Sequence, residues 1–249
     1  MSYLFGMTSQ NRGFSRNSVA TYYNSAGLRK IAAINVPRIQ YNPTTLALEG
    51  AFFERNGATN LLLFSNAVAT PTWVKGSGTT ITQNSTVGAS GLIDMSKVDQ
   101  TTQSSSVLQL ISVTNGGTYT VSADLKKGVG DWVYFLLYDN GNGNANQLQC
   151  WYNFTTNSIG TNQAVGQFTL NSFSVRTLPN GIVRLTTSGI LTQSTAVNFR
   201  VKLVDMNGSA LGITGSFYMG CAQMELGGTE TSYIPSTSTA ATRAPEVGG

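Results

Sequence analysis

The sequence predicts an all-β protein built as an antiparallel two-sheet sandwich, and this prediction rests on composition and on periodicity. Only 10% of its 249 residues are charged, whereas an average globular domain has about 25%. Soluble helices usually carry Glu, Lys and Arg on their solvent face, so a surface of hydroxyls and amides favours strands joined by tight turns. Apolar and polar residues alternate over 119–126 and 197–203, as in strands that bury one face and expose the other.

Turn-forming residues separate these two segments from the other predicted strands. Asn115-Gly-Gly117 and Pro179-Asn-Gly181 are examples, because Asn and Gly tolerate left-handed backbone conformations. No segment has a convincing amphipathic helical pattern, so about nine strands indicate two packed sheets. The Ser/Thr/Gln-rich segment 84–105 leaves its own strand content open. The remaining predicted strands are 79–83, 106–113, 132–139, 147–154, 172–178, 182–188 and 216–226.

Residues 1–56 form a separate N-terminal part in this interpretation. Residues 1–15 lack periodicity and are predicted to be an extended arm. Two hairpins follow over 19–33 and 37–53, with turns at Asn24–Gly27 and Asn42–Thr45. This part has 6 basic and 2 acidic residues, so the whole net charge of +4 lies in it. We therefore predict a docking segment over 1–56 and the sandwich over 57–249.

The segment 132–154 is predicted to be a hairpin with its loop at 140–146. This register places Asp139 opposite Gln147 and Phe135 opposite Trp151. A slip of one residue would exchange the two faces of a strand, so the register decides which side chains are buried. The predicted core face consists of Trp132, Tyr134, Leu136, Tyr138, Leu148, Cys150, Tyr152 and Phe154.

The opposite face of this hairpin is the candidate recognition surface. It combines Phe135 and Trp151 with Gln149 and Asn153. Aromatic rings stack on the apolar faces of sugars, and amides bond to their hydroxyl groups. The alternative is that the N-terminal hairpins or a neighbouring subunit cover these residues, because aromatic side chains are also enriched at interfaces.

The residues needed for catalysis or for metal binding are scarce. The chain has no His, which removes the commonest general base and the commonest metal ligand. Two isolated Cys cannot form a structural zinc site, and no pattern marks a catalytic pair among the acidic residues. The loop 139–144 departs from the EF-hand pattern, since Gly141 and Gly143 stand where oxygen ligands belong. We predict no catalytic residue, no cofactor and no metal ligand, and hence a protein that is not an enzyme.

Several other classes of partner are disfavoured by the sequence. The longest apolar run, 132–138, is too short to span a membrane, and no secretory signal is present. The basic residues are dispersed among apolar ones, so no nucleic-acid site is predicted. Cys150 and Cys221 are predicted to be buried thiols, with a disulfide between them as the alternative.

Both ends of the chain resemble the carbohydrate-binding-module-like β-sandwich proteins that recur in bacteriophage tail and head fibres. The closing part has a similar apolar strand, Gly-Gly turn and Ser/Thr/Pro-rich tail, at 216–228, 231–237 and 241–245. The opening part is similar in the same order, at 18–23, 32–39, 58–65 and Trp73. Tyr233 and Ile234 are expected to anchor the tail.

The resemblance implies a jelly-roll-like sandwich in a non-enzymatic structural protein of a bacteriophage virion, that is, a fibre, spike or decoration component. It implies that residues 1–56 attach to other virion proteins and that the sandwich faces outward towards host glycans. A homo-oligomer, most simply a trimer, is expected, made in the bacterial cytoplasm and located in the virion. Structural calcium held by backbone carbonyls is common in sandwich lectins by the same resemblance and is not visible in the sequence.

Two alternative functions remain. A glycan-binding module of a bacterial enzyme or adhesin would need the same sandwich and the same kind of surface. The start at Met1 without a signal peptide favours the virion over a secreted adhesin. A polysaccharide depolymerase is disfavoured, because the long β-helical repeats of such tailspikes have no counterpart in this chain.

Overall fold

Strands and turns make up the regular structure of residues 13–141 and 145–248, the part of the chain that the computed structural model describes. Within it, no helix is long and apolar enough to cross a membrane. The strands are β1 (Ala20–Tyr23), β2 (Arg29–Ala32), β3 (Arg38–Tyr41), β4 (Leu48–Phe52), β5 (Ala58–Asn60), β6 (Val74–Lys75), β7 (Thr79–Val87), β8 (Ile93–Gln100), β9 (Val107–Ser112), β10 (Gly117–Val129), β11 (Trp132–Asp139), β12 (Gln147–Asn153), β13 (Ser158–Val165), β14 (Thr169–Leu178), β15 (Ile182–Leu191), β16 (Ala196–Val204), β17 (Gly215–Leu226) and β18 (Ala241–Arg243).

Two six-stranded antiparallel sheets form a sandwich, which confirms the predicted fold class. Sheet I has the strand order β14-β15-β10-β17-β8-β7, and sheet II has the order β13-β12-β11-β16-β9-β6. All nine predicted strands are present. The sheets also contain β6, β8 and β13, which the sequence did not predict. The segment 84–105 contributes the end of β7 and the whole of β8.

The main hydrophobic core lies between the two sheets. Val121 and Leu125 of sheet I are buried, and so are Phe199 and Leu203 of sheet II, as the alternating pattern predicted. Trp73 packs its ring edge-to-face on Phe199, with 6.2 Å between the ring centroids.

The outer face of β10, a central strand of sheet I, is buried as well, although the sequence predicted that it would be in contact with solvent. Thr120, Ser122 and Asp124 alternate with the core residues of β10 and are each only 1% exposed. They are covered by segments that are distant in sequence. Asp124 pairs with Arg29 of the first hairpin, and Thr120 donates its hydroxyl to the carbonyl of Gly227.

Both predicted N-terminal hairpins form, and their turns explain why. In the first hairpin, Gly27 has φ +70° and a Cβ there would lie 2.6 Å from the carbonyl oxygen of Pro43, so only glycine fits. In the second, the Asn42 side chain accepts hydrogen bonds from the backbone N–H groups of Thr44 and Thr45, which is typical of an Asx turn.

Buried ion pairs join the N-terminal part to the rest of the chain. Arg29 lies 2.5 Å from Asp124, Arg16 lies 2.6 Å from Glu246, and Arg38 lies 2.7 Å from Glu246. The division at residue 56 stays a prediction. Because of these contacts, removal of residues 1–56 would leave the buried carboxylates of Asp124 and Glu246 with fewer partners.

The C-terminal tail is anchored by Tyr233 and Ile234, which are 7% and 5% exposed. The hydroxyls of Tyr233 and Ser65 lie 2.7 Å apart. The Asn60 amide donates to the carbonyls of Ala222 and Ile234. The opening and closing segments that carry the resemblance therefore contact each other in the fold.

The buried carboxylates predict that the protein loses stability in acid. Burial raises the pKa of Asp124 and of Glu246, but arginine charges and hydrogen bonds outweigh this and hold both pKa values below the usual range. Groups of this kind stabilise the fold above their unfolded pKa of about 4, and the stabilisation is lost as pH falls through the lower folded pKa. Glu225, whose pKa burial raises, has the opposite influence. Thermal unfolding midpoints should be level above about pH 5 and fall steeply below about pH 4; a midpoint unchanged at pH 2 would contradict these ion pairs.

The predicted register of the 132–154 hairpin is wrong by one residue. Gln147 pairs with Tyr138 and not with Asp139, so Tyr134 lies opposite Trp151 and Phe135 opposite Cys150. The cause lies at the loop. The Asp139 N–H donates to the Asn146 carbonyl at 3.0 Å, and the Asn146 amide donates to the Asp139 carboxylate at 2.6 Å, which adds one residue pair to the loop end. Phe135 therefore packs in the main core.

The two faces of β11 are exchanged as a result. Tyr134, Leu136 and Tyr138, predicted in the core, lie on the outer face in a second cluster with Trp151. The predicted core positions on β12 are correct, since Leu148, Cys150 and Tyr152 all face the main core. Cys150 and Cys221 are buried free thiols, as predicted, and burial raises the pKa of each to about 12.

Candidate functional site

An open groove crosses the outer face of sheet II and has a volume of about 280 Å³. Strands β11, β12 and β16 form its floor, and the loop 205–214 between β16 and β17 forms one wall. We call it the sheet II groove. It is lined by Tyr134, Leu136, Tyr138, Gln147, Gln149, Arg200, Lys202 and Ala210.

The aromatic part of the floor is rigid. Tyr134 stacks on Trp151, with 4.5 Å between ring centroids and 16° between ring planes. The Trp151 indole N–H donates to the carbonyl of Ser209 at 2.6 Å, so the 205–214 loop lies over the tryptophan. The indole is 1% exposed. Trp151 therefore supports Tyr134 from one side, and Tyr134 and Tyr138 line the groove.

A chain of amide hydrogen bonds borders the groove on the β12 side. The Gln163 amide donates to Gln149 at 2.7 Å, and the Gln149 amide donates to Gln147 at 2.6 Å. Each glutamine holds the next in a defined orientation. Oriented amides offer both donors and acceptors, which is what recognition of vicinal hydroxyl groups requires.

Two cations border the groove on the β16 side. The guanidinium carbon of Arg200 lies 4.5 Å from the centre of the Tyr138 ring, and an Arg200 Nη donates to the Tyr138 hydroxyl. Lys202 lies two residues further along the same face of β16. Burial, and then the nearby charge of Arg200, lower the pKa of Lys202. The groove is thus polar and positively charged on one side and amide-lined on the other.

The structure brings some of the predicted site residues to this face. Gln149 lines the groove, and Trp151 lies directly beneath it. Asn153 is on the same face but holds the β12–β13 turn by accepting hydrogen bonds from the N–H groups of Thr155 and Thr156. Phe135 points into the core on the other side of the sheet, so it cannot contribute to a surface site.

The groove residues that the sequence interpretation missed fall into two groups. Tyr134 and Tyr138 were assigned to the core because of the register error. Arg200 and Lys202 were recognised as outward residues of a strand. That β16 lies next to β11, however, is a pairing between distant segments, and no local pattern indicates it.

A second cavity of about 90 Å³ lies between the hairpins and sheet I. Its charged groups already pair with one another. Arg184 lies 2.7 Å from Asp124 and also contacts Glu230, while Arg29 lies over the ring of Tyr23. These contacts account for the cavity as part of the packing between the N-terminal part and the sandwich.

Over the described residues, no group of three or more His, Cys, Asp or Glu side chains is placed to hold a metal ion. The loop 139–144, considered above for calcium, lies partly outside those residues.

No protein-family model matches the chain, and no curated protein matches its sequence. Solved structures do resemble the sandwich. The enzymatically active domain of tailspike protein 4 of bacteriophage CBA120 is 11% identical, with 67% of this chain and 21% of that chain covered and a TM-score of 0.39. This chain therefore spans about a fifth of the tailspike structure.

A xylan-binding domain and a xylanase structure show the same kind of similarity. The xylan-binding CBM22-1 domain of Paenibacillus barcinonensis Xyn10C is 11% identical, covers 70% of this chain and 94% of that one, and has a TM-score of 0.41. The CBM22-1–GH10 modules of Clostridium thermocellum Xyn10B are 12% identical over 72% of this chain and 29% of that one, with a TM-score of 0.36. All three TM-scores are below 0.5. This similarity concerns the architecture alone.

Proposed function

We propose that the protein is a non-enzymatic glycan-binding protein and that the sheet II groove is its binding site. The observation that carries this proposal is the juxtaposition of tyrosine side chains with hydrogen-bonded glutamine amides in one open groove. The C–H groups of a sugar ring pack on aromatic carbon, and its hydroxyls exchange hydrogen bonds with amides. The groove lies on the outer face of sheet II, whereas the outer face of β10 in sheet I is covered by the first hairpin and by the segment around Gly227.

The absence of catalysis is part of the proposal. The chain contains no His, and the residues lining the groove include no carboxylate. A glycosidase would need two carboxyl groups on opposite sides of the scissile bond. Binding without hydrolysis is therefore the chemistry that this set of side chains supports.

Replacing Gln149 by alanine is expected to weaken glycan binding about tenfold while leaving the fold intact, because it removes the central amide of the hydrogen-bonded series. A glycan array identifies the ligand, and calorimetry then compares the two proteins. Gln83→Ala, on β7 of sheet I, is the matched control and should bind like the unmodified protein. Unchanged affinity in Gln149→Ala would place the site elsewhere.

We further propose that the protein is a structural component of a bacteriophage virion and that it forms a homotrimer. Residues 1–56 attach it to other virion proteins. The resemblance described above supports the virion, and exposed apolar side chains support the attachment. Of the 19 exposed large hydrophobic side chains among the described residues, 8 lie within residues 19–53. Clustered apolar exposure marks interaction surfaces. These eight are Val19, Ile31, Ile34, Val36, Ile39, Leu46, Leu48 and Phe53. A module of a bacterial enzyme or adhesin, the alternative, would use the same groove without this attachment.

The double variant Ile31→Asp/Leu48→Asp is expected to fold but to be lost from purified particles. Both side chains are 62% exposed, so the substitutions remove an interface and not a core contact. Light scattering should return the mass of three chains for the unmodified protein and less for the variant. The control Val129→Asp/Leu226→Asp changes two side chains that are each 68% exposed on the sandwich and should assemble normally. Equal incorporation of both variants, or a monomeric unmodified protein, would contradict this attachment.

A further inference from the structure

Arg200 and Lys202 form a pair of like charges without a counter-ion. Both are half-buried and point from the same face of β16 into the sheet II groove. None of the ion pairs found among the described residues includes either of them. By contrast, the deeply buried arginines elsewhere, such as Arg29 and Arg184, each contact a carboxylate.

The arrangement is electrostatically unfavourable without a neighbouring anion. Two positive charges lie side by side in a partly desolvated place, and burial followed by the charge of Arg200 lowers the pKa of Lys202. An anion placed between them would remove both penalties. Such an anion would be bound more strongly here than beside an exposed lysine, because charges attract more strongly where water is partly excluded.

Arg200 also retains a free donor. One Nη donates to the Tyr138 hydroxyl, and the guanidinium carbon lies 4.5 Å from the centre of the tyrosine ring. Its Nε is buried and has no hydrogen-bond partner within the described part of the chain. A buried N–H without an acceptor is uncommon in folded proteins and adds to the energetic cost of this arrangement.

We infer that the sheet II groove selects an anionic saccharide, whose oxyanion group lies between Arg200 and Lys202 while its sugar ring lies against Tyr138 and Gln149. This inference rests on the proposed function, glycan binding in the same groove. The shared chemistry is a sugar that carries a carboxylate, sulfate or phosphate group. Charge-assisted hydrogen bonds to such a group are about twice as strong as those between neutral partners, so they dominate the selectivity.

The test is a glycan array that pairs each acidic oligosaccharide with its neutral counterpart. An oligogalacturonate is paired with its methyl ester, a sulfated oligosaccharide with its unsulfated form, and a phosphorylated one with its dephosphorylated form. The three pairs identify which acidic group is bound. The expected result is that at least one acidic member binds and that its neutral partner binds about tenfold more weakly or not at all.

The variant Lys202→Gln separates this inference from the proposed function. It should lower the affinity for the acidic sugar about tenfold and leave affinity for the neutral counterpart unchanged. Lys75→Gln, at an exposed lysine on the edge strand β6, is the matched control and should change neither. High salt should lower the affinity for the acidic ligand and leave the affinity for the neutral one unchanged.

The two possible failures give different results. Equal binding of acidic and neutral members, with no effect of Lys202→Gln but a loss in Gln149→Ala, would overturn the charge selectivity and keep the glycan site. Binding of no glycan of either kind would overturn both.

Discussion

Replacing Asp124 by asparagine is expected to destabilise the protein by about 3–5 kcal/mol, the usual loss when one member of a buried ion pair is removed. Asp124 is 1% exposed and lies 2.5 Å from Arg29 and 2.7 Å from Arg184. Asparagine has a similar shape but no charge, so two buried guanidinium groups would lose the carboxylate between them. Urea unfolding of the two proteins measures the difference directly.

The matched control for this substitution is Asp131→Asn. Asp131 also pairs with a cation, Lys127, but the two side chains are 58% and 41% exposed. Exposed pairs contribute little because water screens them, so no measurable loss is expected. A result in which both variants are equally stable would contradict the buried network that joins the first hairpin to sheet I.

Replacing Trp151 by alanine should cost about 3–5 kcal/mol, the usual penalty for truncating a packed aromatic side chain. The indole is 1% exposed, stacks on Tyr134 and donates to the Ser209 carbonyl. Its removal would leave a cavity under the groove and would release the 205–214 loop. Thermal and denaturant melts give the stability, and hydrogen exchange of the loop amides should become faster.

Two further variants bracket the Trp151 result. Tyr152→Ala removes a neighbour that faces the main core and is also 1% exposed, so it should destabilise by a similar amount. Trp132→Ala removes an indole of the same outer face that is only half-buried and should have a smaller effect. A Trp151→Ala protein as stable as the unmodified one would show that the loop does not cover the indole.

The fold class was predictable because its signals are local. Alternation over 119–126 and 197–203 requires only neighbouring residues, and so do the hairpin turns at Gly27 and Asn42. Strand β13 is not predicted because its sequence, SIGTNQAV, is mostly exposed and has no regular alternation of apolar and polar residues.

The register of the β11–β12 hairpin was not predictable because both faces of β11 are apolar. Val133, Phe135 and Leu137 pack in the core, and Tyr134 and Tyr138 pack outside it. Either register therefore buries an apolar row, and the alternation that normally fixes the register gives no preference. The choice is made by the pairing of Asp139 with Asn146 at the loop.

The burial of Asp124 could not be predicted for a different reason. In sequence it is the polar member of an alternating strand, and only contacts with Arg29 and Arg184, at distances of 95 and 60 residues, explain its burial. The candidate site shares this difficulty. Gln149 can be identified from its own strand. That Gln149 and Arg200 line the same groove depends on which strands lie side by side in sheet II.

A crystal structure of the protein soaked with the best-binding oligosaccharide tests the central claim most directly. We expect density for the sugar over strands β11, β12 and β16, against Tyr138 and within hydrogen-bonding distance of Gln149. Density in the cavity between the hairpins and sheet I, or on any surface other than the sheet II groove, would contradict the account.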